Sequence, residues 1–175
     1  MRVGGSCQCG KVRFTVESET PYPFMYCYCS ICRKAEGAFG CNVMGRRATL
    51  RVTGRRHLRR HHPVMREKGK RPYRSEGERC FCAACGTHLF VLDRRWPEGV
   101  WPSAAAIDTP LPTPPEQVHM MLRYKPRWVP VAGKGRRYPE YPELSIAEWH
   151  ARHGLTAAAR RTRRTPARRR RSGAG

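Results

Sequence analysis

The chain has 175 residues, 39% of them hydrophobic, which leaves room for one modest domain and not for two of ordinary size. Its net charge of +22 comes from 29 Arg and 6 Lys against 13 acidic residues. No stretch approaches the roughly 20 consecutive apolar residues that span a bilayer, and residues 1–6 lack the apolar run of a secretory signal. These features argue against a membrane or exported protein, and we expect a cytoplasmic location.

The first predicted element is a cysteine turn that leads into a strand. Cys7 and Cys9 lie one residue apart in the glycine-rich stretch 4–10, where Gly10 supplies the sharp bend that two such ligands need to reach one metal. Residues 11–17 then alternate polar and apolar side chains, which predicts a half-buried strand. The prolines at 21 and 23 end it.

Three further thiols follow within six residues, at Cys27, Cys29 and Cys32. A short helix is predicted from Ser30 to Glu36, with Gly37 ending it. Cys32 would then lie in the first helical turn, where the partial positive charge of a helix N-terminus favours a thiolate. That placement suits metal binding and nucleophilic chemistry equally.

The middle of the chain alternates predicted strands with a basic segment. Residues 38–44 and 49–52 read as strands joined through residues 45–47. Residues 55–74 hold seven arginines, two lysines and three histidines among few apolar residues, so we predict an exposed loop that we call the basic segment.

The second half begins with a cysteine turn of the kind found in zinc knuckles, Cys82-Ala83-Ala84-Cys85-Gly86. Strands are predicted at residues 88–92, 100–107 and 118–122, and the proline-rich stretch 109–115 is predicted as a loop. Residues 145–148 match a capping box, which predicts a helix from Ile146 to about Arg152. Beyond residue 156 the composition offers almost nothing to bury. We therefore expect a domain at 4–155 and a disordered Arg-rich tail at 156–175.

Nine cysteines in a reducing compartment favour metal ligation over disulfides, and their clustering supports this interpretation. Each of the two outer pairs is two ligands short and adjoins a predicted strand. Together they make one complete four-thiolate set, which is the composition of a structural zinc site: Cys7, Cys9, Cys82 and Cys85.

The run from Cys27 to Cys32 supplies three sulfurs to a metal that takes four ligands. Two interpretations are equally compatible with the spacing. In one, the fourth corner is open to water, a carbonyl oxygen or a substrate thiolate; in the other, Cys41 or Cys80 fills it and the site is inert.

The remaining candidates have plainer explanations. His61 and His62 are adjacent in the basic segment, and solvated loop histidines are commoner than ligands there. His88 and His119 are expected in the core or on a sheet face. Four large aromatic side chains are expected as core and rim residues, and base stacking would require them to be exposed beside basic patches: Trp96, Trp101, Trp128 and Tyr124.

Three stretches, residues 5–14, 27–33 and 81–87, match in order and spacing a known pattern of paired and triple cysteines. With them, the chain resembles the glutathione-dependent formaldehyde-activating enzyme family, whose domain also occurs in centromere protein V. The likeness runs over about residues 4–131. It does not extend to the Arg-rich tail, and the basic segment is more basic than the likeness leads us to expect.

The resemblance implies a mainly β domain of the β-tent type with two Zn²⁺ sites. It makes Cys7, Cys9, Cys82 and Cys85 the structural set and Cys27, Cys29 and Cys32 the catalytic set with an open position. It also implies carbon-sulfur lyase chemistry on S-hydroxymethylglutathione or a similar small thiol adduct. Glutathione carries two carboxylates, and Arg33, next to the third ligand, is the residue we name first to bind them.

Two other hypotheses remain open. The chain could be a zinc-stabilised module that binds nucleic acid non-specifically through the basic segment and the arginines at 160–171, because arginine clusters neutralise phosphates. It could also have kept the fold and lost the chemistry. The sequence does not discriminate among these, and it leaves the oligomeric state open.

Overall fold

A computed structural model describes residues 1–66, 69–131 and 133–156. The protein is mainly β in this part of the chain, with two short α-helices and four 3₁₀ turns among the described residues. No helix among them is long and apolar enough to cross a membrane. The predicted tail lies outside the described residues except for Thr156.

The N-terminal half of the chain contributes six strands and one helix. In chain order they are β1 (Arg2–Ser6), β2 (Arg13–Glu17), β3 (Met25–Cys27), α1 (Ser30–Glu36), β4 (Gly40–Cys41), β5 (Gly45–Arg46) and β6 (Arg51–Thr53). The predicted strand at 11–17 and the predicted helix Ser30–Glu36 are confirmed. The stretch 45–47, predicted as a connection, begins instead with β5, because Gly45 and Arg46 pair with residues 100 and 99 in another sheet.

The remaining elements follow the basic segment into the second cysteine turn and beyond. They are β7 (Leu58–His61), β8 (Val64–Met65), β9 (Tyr73–Arg74), β10 (Gly77–Cys82), β11 (His88–Asp93), β12 (Gly99–Pro102), β13 (Gln117–Met120), β14 (Gly135–Arg137) and α2 (Ile146–Arg152). Helix α2 begins at Ser145, and both hydrogen bonds of the predicted capping box are present.

The prediction that the basic segment is a loop is wrong. It contains a 3₁₀ turn at Arg55–His57 and three short strands, and β7 pairs with β10 at the edge of a five-stranded sheet. An edge strand needs backbone partners on one side only and can expose charged side chains, so β7 forms with one half-buried Leu58 among polar residues. The polar composition therefore concealed the strand.

Four sheets make up the architecture. Strands β1, β2 and β6 form the first, β5-β12-β11-β10-β7 the second, β14-β13-β3-β4 the third, and β8-β9 a small hairpin. The first two sheets share a core of buried side chains from both: Val3, Phe14, Val16, Cys80, Leu89, Phe90 and Val100. Phe14 meets Phe90 edge to face across this core, with ring centroids 5.7 Å apart.

The third sheet positions the triple-cysteine run. Strand β13 pairs in parallel with β3, with Val118 opposite Met25 and Met120 opposite Cys27. Helix α2 closes the outer side through Trp149, which stacks on Phe24 at 3.7 Å. Parallel pairing between residues more than 90 positions apart gives no periodic signal in the sequence, so the partner of β3 was not predictable from it.

Candidate metal centres

The two outer cysteine pairs converge at one point. Cys7 and Cys9 lie in the turn that follows β1. Cys82 is the last residue of β10, and Cys85 lies in the turn after it. All four sulfurs lie within 4.8 Å of one another; Cys7 Sγ is 3.5 Å from Cys9 Sγ, and Cys9 Sγ is 3.8 Å from Cys82 Sγ. We call this group the four-cysteine cluster.

Backbone and hydroxyl groups surround these sulfurs as donors. The Val12 amide donates to Cys7 Sγ at 3.2 Å, and the Thr87 hydroxyl lies 3.2 Å from Cys85 Sγ. That Thr87 contact lowers the pKa of Cys85 to about 5. Thr87 Oγ1 also accepts from the Gln8 amide at 3.1 Å, so it ties the two cysteine turns together.

The four-cysteine cluster fits a tetrahedral zinc ion. Zinc–sulfur bonds of roughly 2.3 Å in a tetrahedron place neighbouring sulfurs about 3.8 Å apart. The Cys7–Cys9 and Cys9–Cys82 separations match that edge, and all four cysteines are free of disulfides. A donor set made of four thiols is also the softest that a protein offers, which favours zinc over oxygen-seeking cations.

The second group is the three-cysteine cluster of Cys27, Cys29 and Cys32, whose sulfurs also lie within 4.8 Å of one another. Cys27 ends β3, Cys29 is the N-cap of α1, and Cys32 lies in the first turn of that helix. The Cys32 amide donates to Cys29 Sγ at 3.4 Å, so a thiol occupies the position that serine or aspartate usually takes.

The three thiols have different acidities because they share their protons. Hydrogen bonds from Cys27 and Cys32 lower the pKa of Cys29 to about 2, and contacts with Cys29 and Cys32 raise the pKa of Cys27. This arrangement favours a thiolate at Cys29. A set of this kind is a ready ligand for a soft metal ion.

One guanidinium contacts this cluster directly. Arg79, on β10, donates from Nη2 to Cys32 Sγ at 3.3 Å, and its other terminal nitrogen, Nη1, is buried with no hydrogen-bond partner among the described residues. The sequence does not single out Arg79, because it precedes Cys80 and lies far from the triple-cysteine run in the chain. The pairing of β10 with β7 and β11, which sequence alone did not reveal, fixes its position.

A buried carboxylate anchors α1 behind the cysteines. Glu36 Oε1 lies 3.2 Å from His88 Nδ1, and the Ser103 hydroxyl donates to Glu36 Oε2 at 2.7 Å. The Glu36 and His88 side chains are 5% and 4% exposed. Gly40 permits this packing, because a Cβ there would lie 2.8 Å from Glu36 Oε1 and 2.9 Å from the Cβ of Cys32.

Cys41 and Cys80 belong to neither cluster in the described part of the chain. Both are buried, and burial raises the pKa of each thiol to about 12. The hypothesis that one of them completes the three-cysteine set therefore gains no support from their placement.

The other sequence candidates are placed as follows. Arg33 follows Cys32 in α1, and its Nε is buried without a hydrogen bond to any described residue. His62 contacts Glu78 and the Ser75 carbonyl rather than a sulfur. His88 and His119 are buried as expected. Of the core and rim positions expected for the four aromatic side chains, only rim positions occur: Trp101 is half-buried, and Trp96, Trp128 and Tyr124 are 56%, 75% and 49% exposed.

Comparison with known proteins bears on these clusters. The family model for "Glutathione-dependent formaldehyde-activating enzyme" matches residues 2–123, a range that contains every cysteine of both clusters. The chain belongs to this family. The resemblance first seen in the three cysteine-bearing stretches is thereby confirmed.

Two further comparisons concern individual proteins. One is a Halomonas elongata protein whose name gives it provisionally as a glutathione-dependent formaldehyde-activating enzyme. It is 49% identical over 159 residues, which cover 89% of the present chain and 98% of the relative. The crystal structure of a Rhodobacter sphaeroides protein is 26% identical, covers 62% of this chain and 91% of its own, and has a TM-score of 0.44.

Proposed function

We propose that the protein is a zinc-dependent carbon-sulfur lyase-like enzyme that forms or cleaves the hydroxymethyl adduct of glutathione or of a similar small thiol. The observation that carries this proposal is the three-cysteine cluster, which gathers three sulfurs while the nearby thiols of Cys41 and Cys80 stay outside it. Family membership and the name of the Halomonas relative support the same chemistry.

In this proposal each cluster binds one Zn²⁺. Cys7, Cys9, Cys82 and Cys85 form a closed structural site, and Cys27, Cys29 and Cys32 form a catalytic site with one open corner. Zinc held by these three cysteines would act as a Lewis acid toward a group at the open corner. It would also favour the deprotonated form of a substrate thiol bound there. We further propose a β-tent type domain over residues 4–155, followed by an Arg-rich tail.

The reaction itself is an addition across a carbonyl. The substrate sulfur forms a bond to the carbon of formaldehyde, the π pair of the C=O bond moves to oxygen, and oxygen takes up the proton that the thiol releases. The lyase direction reverses each movement. A thiol with an ordinary pKa near 8.5 is mostly protonated at neutral pH, so the site must help that proton leave.

This chain's own residues perform four tasks in the scheme. The three cysteines hold the centre, Arg79 donates to Cys32 Sγ and offsets the negative charge of the cluster, and Glu36 fixes α1 against His88 and Ser103. Arg33 is proposed to bind a substrate carboxylate. The unpaired Nε of Arg33 supports that role, because a buried donor without a partner is costly unless a ligand uses it.

The test combines metal analysis with an activity assay. Cys29→Ala should lose one of two zinc equivalents and at least 100-fold of glutathione-dependent formaldehyde consumption, because a ligand to the reacting centre is gone. Cys41→Ala removes a buried thiol outside both clusters and should retain both properties. A wild-type protein with two zinc ions, no turnover and no NMR response to glutathione would sink the proposal.

A second candidate function rests on the edge strand of the basic segment. The arginines of the 3₁₀ turn and β7 are exposed along one sheet edge: Arg55, Arg56, Arg59 and Arg60. We propose non-specific nucleic-acid binding there, for which phosphate neutralisation predicts affinity that falls steeply with salt. Exchanging these four arginines for glutamine should flatten the salt dependence in a duplex-binding titration; an unchanged slope would reject the candidate.

A further inference from the structure

A large open cavity lies beside the three-cysteine cluster. It measures about 820 Å³, which is within the range of small-molecule sites, roughly 300 to 1,000 Å³. Its walls come from β3, β5, β12, the end of β13 and the start of α2, and its apolar part is built of methionine and aromatic side chains: Met25, Met44, Met120, Trp96, Trp101 and Tyr141.

Strand register connects the cavity to the cysteines. Met25 and Cys27 are two residues apart on β3 and therefore share a face, and Met120 is the parallel partner of Cys27 and shares that face too. Both methionines line the cavity. Tyr141, on the opposite wall, is close enough to interact electrostatically with all three cysteines. No cysteine lines the cavity, but two of its lining residues, Met25 and Met120, are neighbours of Cys27 on the paired strands β3 and β13.

The charge of the cavity is opposite to that of the molecule. Four of the chain's 13 acidic residues line it, namely Glu19, Glu98, Glu143 and Glu148, but among the described residues only Arg46 of its 35 basic ones does. A chain of net charge +22 would be expected to surround a binding site with cations. An anionic substrate would instead meet a lining with four exposed carboxylates and one guanidinium.

The aromatic wall is suited to a cation. Trp96 and Trp101 meet edge to face with centroids 6.1 Å apart, and the Arg95 guanidinium lies over the Trp96 ring at 4.6 Å. Arg95 thus covers one face of Trp96, and a ligand cation would use the other aromatic side chains of the lining, Trp101 and Tyr141. Organic cations bind where aromatic faces and carboxylates combine, and an ammonium with an apolar body satisfies both the carboxylates and the methionines.

We propose that this cavity binds the part of the substrate thiol remote from its sulfur and selects an apolar group that carries a substituted ammonium over an anionic group. The assignment of the occupant as substrate rests on the proposed function; the cavity's preference for cations does not. Glutathione carries two carboxylates and one ammonium. Arg33, proposed above to bind a carboxylate, is not among the residues that line the cavity, so the cavity itself would favour a cationic thiol over glutathione.

Binding probes without sulfur test the preference directly. Benzyltrimethylammonium and phenylacetate are titrated calorimetrically into the full-length, zinc-loaded protein at 150 mM salt. The overall charge favours the anion, whereas the cavity should bind the cation at least tenfold more tightly. Glu19→Gln with Glu98→Gln should weaken the cation three- to tenfold and leave the anion unweakened. Equal binding of both probes, or tighter binding of phenylacetate, would overturn the proposal.

A matched pair of variants locates the site. Ala147 is exposed and lines the cavity, and Ala151 is exposed on the same helix outside the lining. Ala147→Phe should abolish binding of benzyltrimethylammonium, and Ala151→Phe should leave it within twofold of wild type. Binding that survives Ala147→Phe in a protein with an unchanged melting temperature would place the cation elsewhere and reject the cavity.

The two proposals fail separately. Formaldehyde consumption is measured with glutathione and with 2-(trimethylammonio)ethanethiol, and the cationic thiol should give the higher kcat/KM by at least tenfold. If no thiol is consumed but benzyltrimethylammonium still binds in the cavity, the lyase function falls and the cation site stands. If glutathione turns over and the cation fails to bind, the cavity proposal falls and the function stands.

Discussion

The hydrogen bond from Arg79 to Cys32 is the contact in the three-cysteine cluster with the clearest electrostatic consequence. In the proposed zinc site, a guanidinium beside Cys32 Sγ would offset the negative charge that three thiolates and one divalent cation leave in excess. Outer partners of this kind commonly contribute 10- to 100-fold in metal affinity. Arg79 therefore connects the second sheet to the chemistry of the third.

Replacing Arg79 by methionine should weaken zinc at the three-cysteine cluster by about 10- to 100-fold, because the excess negative charge on the sulfurs loses its partner. Competition with a chromophoric chelator measures this, and the four-cysteine cluster serves as an internal reference. Arg94→Met, at an exposed position, should change neither affinity. Equal zinc affinity in Arg79→Met and wild type would show that the contact has no electrostatic role.

Asp93 and Arg95 form a second charged pair whose pH dependence has a definite sign. The Arg95 hydrogen bonds, to both carboxylate oxygens, lower the pKa of Asp93 in the folded protein. The pair therefore stabilises the fold above the ordinary Asp pKa of about 3.9, and the contribution is lost as pH falls through the lower folded value.

Asp93→Asn should accordingly be less stable than wild type at pH 7 and approach it below about pH 4. The difference should be about 1 kcal/mol at most, because Arg95 is 58% exposed and solvent screens the pair. Thermal unfolding at a series of pH values measures it. A gap that stays constant down to pH 2.5 would contradict the assignment.

Helix α1 shows how one short element serves both fold and chemistry. Its N-cap is Cys29, which accepts from the Cys32 amide and is also a candidate metal ligand. The sequence predicted this helix correctly because the glycine stop and the cysteine spacing are both local. It could not reveal Glu36 as the anchor of α1, since His88 and Ser103 are 52 and 67 residues away.

Cys29→Ser and Cys29→Ala should separate the two roles of that residue. Serine is among the best N-caps, so Cys29→Ser should leave the chelator-treated protein as stable as wild type while losing zinc from the three-cysteine cluster. Cys29→Ala should lose the same zinc and about 1 kcal/mol of stability in addition. Thermal unfolding with and without chelator gives both values; equal stability of the two variants would show that Cys29 contributes nothing as a cap.

Other elements could not be predicted because they form through pairing with distant strands, which the local composition does not indicate. Strand β7 carries Arg59 and Arg60 and has no alternating apolar pattern, so only its register with β10 identifies it. The predicted strand at residues 118–122 ends early because Met121 takes a left-handed conformation, φ 62°, that begins a 3₁₀ turn. The cysteine groups were predictable because the spacing of ligands is a short-range feature of the sequence. The positions of Arg79 and of the cavity depend instead on the pairing and packing of strands that are distant in the chain.

At the scale of the whole molecule, the two clusters differ in how distant in the chain the elements they connect are. The four-cysteine cluster joins the β1–β2 hairpin to the β10–β11 hairpin, across a separation of 73 residues between Cys9 and Cys82. The three-cysteine cluster lies within one local run. Loss of the first should therefore cost more stability than loss of the second, because a long loop is closed by it.

Cys82→Ser should lower the melting temperature by 10 °C or more, and Cys32→Ser by less than half as much. Both variants should retain one zinc equivalent instead of two. Calorimetric unfolding together with metal analysis decides this. If Cys32→Ser proves the more damaging variant, then the triple-cysteine site is the structural one and the assignment of roles must be exchanged.

The distance between Cys9 and Cys82 also sets an order of events during synthesis. At 5 to 20 residues per second, a ribosome needs roughly 4 to 15 s to add the 73 residues that separate these two ligands. Cys27, Cys29 and Cys32 emerge within a fraction of that time and can compete for the first available zinc ion. A nascent chain thus exposes the three thiols of the proposed catalytic site before the four-cysteine cluster can form, and a reducing environment would keep them unoxidised during that interval.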